Sequence, residues 1–190
     1  MTTAVLHPEI VLIQERLKAC NRRAEAFAGL RADQLTWSVS RDRWSIAQCL
    51  DHLIVSNERY FPVLDRLNED AFRPSFWERW SPFSKSIGRN MVAMLGPQVK
   101  RSFKAPKLFQ PRTRQSQDPA ILQRFLGHQQ TLLEKLEKIR VADLTTCVIT
   151  SPVAGLITLP LSDLLQVLAG HEERHLSQAE RLPAHPQFPR

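Results

Sequence analysis

Three histidines carry the clearest chemistry in this sequence. His171 and His175 are one helical turn apart. Two imidazoles at that spacing can both reach one ion about 2 Å from each nitrogen. They end a stripe that reads Leu164, Leu168, His171, His175, Gln178. Its alternating steps of four and three residues keep one helix face toward a core, and the residue type changes from leucine to imidazole halfway along. His52 offers a third ligand, on the strip Gln48, His52, Ser56 of an earlier helix. Three neutral histidines leave one or more positions open on a metal, which suits a catalytic site rather than a closed structural one. The alternative is three hydrogen-bonded core histidines, which are costly to bury unless each finds a partner.

The run His171-Glu172-Glu173-Arg174-His175 also matches HExxH literally. In zinc proteases the glutamate of that motif is a general base. The extended form needs glycine at 178 and histidine at 181, where this chain has Gln178 and Arg181. Only 15 residues follow His175, which leaves little room for a downstream glutamate ligand. A protease is therefore set aside. Glu172 stays a candidate catalytic base or a support behind the ligands; the plainer reading is a solvated glutamate paired with a neighbouring Arg or His. His7, His128 and His185 read as surface residues, and Cys49 as core packing. No Gly-rich phosphate loop, GxSxG elbow or Cys-rich metal cluster is present.

Four helical patterns must position these groups. The first runs from about Pro8 to Ala28, with Pro8 in its first turn and Gly29 as a stop. The second begins near Ser45, where Ser45-Ile46-Ala47-Gln48 reads as a capping box, and Pro62 kinks or ends it. The third spans about Asp118 to Arg140, with Asp118 as cap and Pro119 at the first helical position. The fourth runs from near Pro160 to Leu182, where Pro183 stops it. Thr145–Thr150 is β-prone but stands alone, so it reads as an extended connection. Four amphipathic helices without strands argue for an all-α four-helix bundle.

The 190 residues imply one domain over 1–190, large enough to fold without disulfides or a structural metal. No apolar run of roughly 18 residues argues for a membrane span. The opening residues lack the features of a secretory signal. Cys20, Cys49 and Cys147 are odd in number and share no CxxC spacing, so a reducing cytoplasm is the expected compartment. The formal net charge of +7 is unevenly spread. Residues 66–115 hold 11 Lys/Arg against 3 acids, a net +8, whereas the remainder, with 15 bases and 16 acids, is −1. That segment also holds 5 of the 13 prolines and 7 of the 14 aromatic residues. It is too long for an ordinary loop and reads as an insertion between helices two and three, lying across one end of the bundle. A short helix fits within Ser84–Lys100.

At the histidines the sequence resembles the DinB-like superfamily, which includes the DinB and YfiT-like metalloenzymes. Trp44-Ser45 through Leu50, His52 and Leu53 looks like its W-S-x-x-x-x-L-x-H-L opening. Ser151-Pro152-Val153-Ala154-Gly155, followed by His171, His175 and Gln178, looks like its closing Pro-x-x-Gly turn and H-x-x-x-H-x-x-Q helix. The resemblance implies a four-helix bundle with a divalent metal, zinc or nickel, on His52, His171 and His175. It also implies a metal-dependent hydrolase or thiol S-transferase acting on a small-molecule or thiol substrate, and homodimers, which are common in that superfamily. Two departures stand out. Ser151 occupies a place where many relatives have histidine, and the 66–115 segment is longer and more basic than expected.

Two functions follow. In an enzyme, basic residues near the site would draw in an anionic substrate, and Phe72, Phe76, Trp77, Trp80 and Phe83 would wall the pocket. In a non-enzymatic module, the same basic and aromatic residues would bind nucleic acid or an anionic membrane surface. The plainer reading of the segment is a solvated cover whose aromatics pad the bundle.

Overall fold

The computed structural model describes residues 6–68, 72–98, 105–112, 118, 120–141, 143–152 and 155–190. These residues form α1 (Pro8–Glu25), α2 (Ala32–Thr36), α3 (Ile46–Glu58), α4 (Phe61–Leu67), α5 (Phe76–Trp80) and α6 (Ser84–Leu95). A 3₁₀ turn at Lys107–Phe109 follows, then α7 (Ile121–Glu137), strands β1 (Val148–Thr150) and β2 (Thr158–Pro160), and α8 (Leu161–Glu180). The chain is mostly helical. Among the described residues, no helix is long and apolar enough to cross a membrane.

The long helices form where the apolar spacing places them. In α1 the buried residues are Ile10, Ile13, Leu17, Cys20 and Ala24, a single stripe. His7 caps that helix, its Nδ1 accepting from the Glu9 amide at 3.2 Å. The box that opens α3 is complete: Ser45 Oγ accepts from the Gln48 amide at 3.1 Å, and Gln48 Oε1 accepts from the Ser45 amide at 3.0 Å. α3 ends at Glu58, and Pro62 sits in the first turn of α4, where its missing N–H costs nothing. α7 starts at Ile121, later than the Asp118 cap implied; Asp118 Oδ1 instead accepts from the Ala120 amide at 2.9 Å. Pro119 lies outside the described residues.

α1 and α3 each pack against both α7 and α8. Their contact is apolar. One cluster gathers Ile10, Ile13, Leu17, Leu132, Leu164 and Leu168; the other gathers Leu50, Leu53, Ile121, Phe125 and Leu176. Each fully buried side chain of this kind contributes about 1.5–3 kcal/mol.

The structure corrects the reading of Thr145–Thr150. It does not stand alone: β1 pairs antiparallel with β2, Val148 opposite Pro160, Ile149 opposite Leu159, and Thr150 opposite Thr158. The partner strand is only three residues long and ends in the proline that precedes α8, so alternation could not reveal it. Ile149 and Leu159 are fully buried opposite each other, which gives the short pair its apolar side.

Within 66–115, α6 is more than a cover. It packs along α8 and against β2. Gly88 permits that approach, because a Cβ there would lie 2.1 Å from Asp163 Oδ2. Lys100, Arg101, Lys104 and Arg114, part of the segment's charge, lie outside the described residues.

Candidate metal centre

The three histidines meet. One donor atom from each of His52, His171 and His175 lies within 4.8 Å of the other two. The capping box sets the start of α3 and so aims His52 at α8, where His171 and His175 lie one turn apart. His52 Nε2 is 3.2 Å from His171 Nε2. Two nitrogens bound tetrahedrally to one zinc ion, each at about 2.0–2.1 Å, stand about 3.3 Å apart. The observed separation fits that requirement.

The protons fit as well. His52 Nδ1 lies 2.6 Å from the Phe109 carbonyl oxygen. A carbonyl can only accept, so Nδ1 carries the hydrogen and Nε2 presents a lone pair to the other two rings. This is the usual support of a ligating histidine, whose far nitrogen donates to a backbone carbonyl or carboxylate. His175 Nδ1 is buried with no hydrogen-bond partner among the described residues, a cost that an ion or water would relieve. Burial pushes His52 down to about 4. Burial and the neighbouring imidazoles hold His171 and His175 well below the usual histidine range. All three are therefore neutral at pH 7, the form that binds metal. His52 and His175 are buried and His171 is half-buried, so the accessible edge of the cluster is at His171.

Sequence reasoning missed several neighbours. Trp44 sets its ring, tilted, with its centroid 4.5 Å from that of His52 and 5.5 Å from that of His175, closing one side. Phe109 supplies the carbonyl, and Asp51 helps to hold that stretch: its fully buried carboxylate accepts from the Arg112 amide. No motif could point to Phe109, since a backbone carbonyl leaves no mark on residue type. Gln178, read as part of the inward stripe, lies near His175 and offsets a little of the downward push that burial gives that imidazole.

Glu172 is not a solvated glutamate. It is fully buried, and its Oε1 accepts from Asn57 Nδ2 at 2.7 Å and Gln129 Nε2 at 2.6 Å. Burial raises its carboxyl to about 7 although both amides favour the charged form. The exposed partners are taken by its neighbour: Glu173 pairs with Arg16 at 2.7 Å. His128 is not a plain surface residue either. It stacks on Phe61 with ring centroids 4.9 Å apart, and its Nε2 is buried without a partner among the described residues. Cys20, Cys49 and Cys147 are free and buried, and burial pushes the Cys49 thiol up to about 12, which removes it as a nucleophile.

The expected aromatic wall is absent. Phe76, Trp77, Trp80 and Phe83 are exposed, and Phe72 packs on the core under Arg66. A cleft elsewhere on α3 is lined by Val55, Glu58, Arg59, Leu108 and Gln110, with Lys107 and Arg112, and none of the three histidines lines it. It flanks Phe109, so the chain segment that orients His52 also forms the cleft.

No curated protein and no solved structure matches this chain. A family model does, over residues 16–179, a span that includes all three histidines, Trp44 and Glu172. By that match, together with its mostly helical fold, the chain belongs to the DinB superfamily.

Proposed function

We propose that this chain is a divalent-metal protein in which His52, His171 and His175 hold the ion, and that it works as a metal-dependent hydrolase or thiol S-transferase. The observation that carries the reading is the His52 tautomer: with Nδ1–H given to Phe109, its Nε2 lone pair faces His171 Nε2 at 3.2 Å. Three neutral imidazoles suit zinc or nickel. An ion on three ligands lowers the pKa of a water or thiol in its open position.

The chain's own residues supply the rest. Phe109 orients His52, and Trp44 shields His52 and His175 from one side. Arg59, Lys107 and Arg112 outnumber Glu58 around the cleft, which favours an anionic substrate or thiol cofactor. Glu172 serves as a positioning residue, because both buried amides converge on its Oε1 and tie α8 to α3 and α7. The packing of α1 and α3 on both α7 and α8 supports the four-helix bundle, with 66–115 inserted between its second and third helices.

Elemental analysis of protein purified without a histidine tag tests the reading. About one zinc or nickel ion per chain is expected, lost in His171→Ala and in His52→Ala. Wild-type protein that takes up no zinc, nickel or manganese overturns it.

A further inference from the structure

The short helix α5 is built inside out. Its one acidic residue, Glu78, is buried, while Phe76, Trp77 and Trp80 point to solvent at 72%, 51% and 67% exposure, joined by Phe83 at 67%. Glu78 is the anchor that enforces this. Its Oε1 accepts from the Thr150 amide of β1 at 2.8 Å and pairs with Arg66, and its Oε2 accepts from the Ser75 amide at 2.7 Å. Ser75 Oγ returns a bond from the Glu78 amide at 3.3 Å, closing a capping box. Trp77 and Trp80 are three residues apart and Phe76 and Trp80 four, so the rings share the outward side. Phe76 and Trp77 meet edge to face with ring centroids 6.1 Å apart, and four large aromatics exposed within eight residues are informative in a way that single exposed leucines are not.

Among the described residues 72–98, the exposed charge next to the patch in sequence has one sign. Arg73, Arg79 and Lys85 are exposed beside the rings and make no ion pair with a carboxylate among the described residues. Glu78 is the sole acid in 72–98, and it is taken up inside. Arg89, further along α6, interacts instead with the Asp163 carboxylate.

We propose that the α5 edge docks on an anionic lipid surface, with Phe76, Trp77, Trp80 and Phe83 entering the headgroup region and Arg73, Arg79 and Lys85 meeting lipid phosphates. Trp and Phe with a cationic rim is the composition of interfacial anchors. A second copy of the chain fits poorly, because a self-facing patch would bring these cations together. Stacked bases of single-stranded nucleic acid fit poorly as well, because rings more than half exposed stand clear of the surface and do not line a groove. The proposal is independent of the metal reading.

The test is co-sedimentation of the full chain with phosphatidylcholine vesicles, with and without phosphatidylglycerol. Binding to the anionic vesicles alone, weakened by salt and accompanied by a blue shift of tryptophan emission, is expected. The Trp77→Ala/Trp80→Ala variant should bind about tenfold or more weakly and lose the blue shift, since Trp37 and Trp44 remain in place. Arg79→Ala should bind about fivefold more weakly. Both changes are at exposed positions, and an unaltered circular dichroism spectrum verifies folding. No binding to anionic vesicles overturns the proposal. So does equal loss of affinity in a variant at a distant exposed cation, such as Lys18→Ala. Salt-sensitive binding to a single-stranded oligonucleotide without vesicle binding also overturns it, as does a dimer that the double variant dissociates.

Discussion

Asp51 and Arg112 are joined across the face of α3: the buried carboxylate accepts from the Arg112 backbone amide, while the Arg112 side chain reaches Glu58 at 3.3 Å. The bond ties the stretch that carries Phe109 to the helix that carries His52. Removing its charge should act on the metal through the Phe109 carbonyl. We expect Asp51→Asn to weaken metal affinity by about tenfold, the lower end for a group that supports a ligand. Competition with a chromogenic chelator measures it. Unchanged affinity would show that Phe109 is held by other contacts.

Glu172 satisfies the amides of two other helices. Glu172→Ala leaves Asn57 Nδ2 and Gln129 Nε2 without their acceptor in the interior. Each stranded donor costs about 1–3 kcal/mol, so a loss of roughly 3 kcal/mol or more is expected in urea unfolding. Glu172→Gln keeps an acceptor oxygen and should lose less than half as much.

His128 links stability to pH. Burial, reinforced by Arg112, pushes it down to about 4 in the folded chain, against an ordinary value of 6.5. Below 6.5 the unfolded chain takes up a proton that the folded chain refuses. Stability from this residue is therefore intact above pH 6.5 and falls as pH drops toward 4, by up to ~1.4 kcal/mol per pH unit. His128→Gln should show a shallower decline over that window in pH-dependent denaturation, and parallel curves would refute the coupling.

Glu78 holds α5 to β1. Glu78→Ala removes the acceptor for the Ser75 and Thr150 amides and the partner of Arg66. We expect α5 amides to exchange with solvent about tenfold faster or more, since a lost cap alone is worth about 1 kcal/mol. Exchange in α1 and α3 should not change. Mass-spectrometric hydrogen exchange resolves the two regions.

The helices were legible because burial repeats along them. Ile10, Ile13 and Leu17 mark the inward side of α1, and Ser45 with Gln48 marks the start of α3. His171 and His175 could be paired from spacing alone, because one turn of helix fixes their separation. Local chemistry decided all of these, and a single chain segment contains it. The β1–β2 pair could not be read in this way, since three-residue strands carry too few alternations and Pro160 signals the helix that follows.

What only the tertiary structure decided were relationships between distant segments. His52 meets His171 across 119 positions of sequence, and Glu172 finds Asn57 across 115. The residue type of Glu172 suggested a solvated charge, but the packing of α3, α7 and α8 closed over it and supplied two amides. The aromatics of 72–83 read as a pocket wall by composition. Their direction was set by one buried acid, Glu78, whose hydrogen bonds to β1 turn the opposite side of α5 outward. Periodicity encodes which face of a helix is apolar; it does not encode which partner a buried polar group will find, because that depends on how separate helices are brought together.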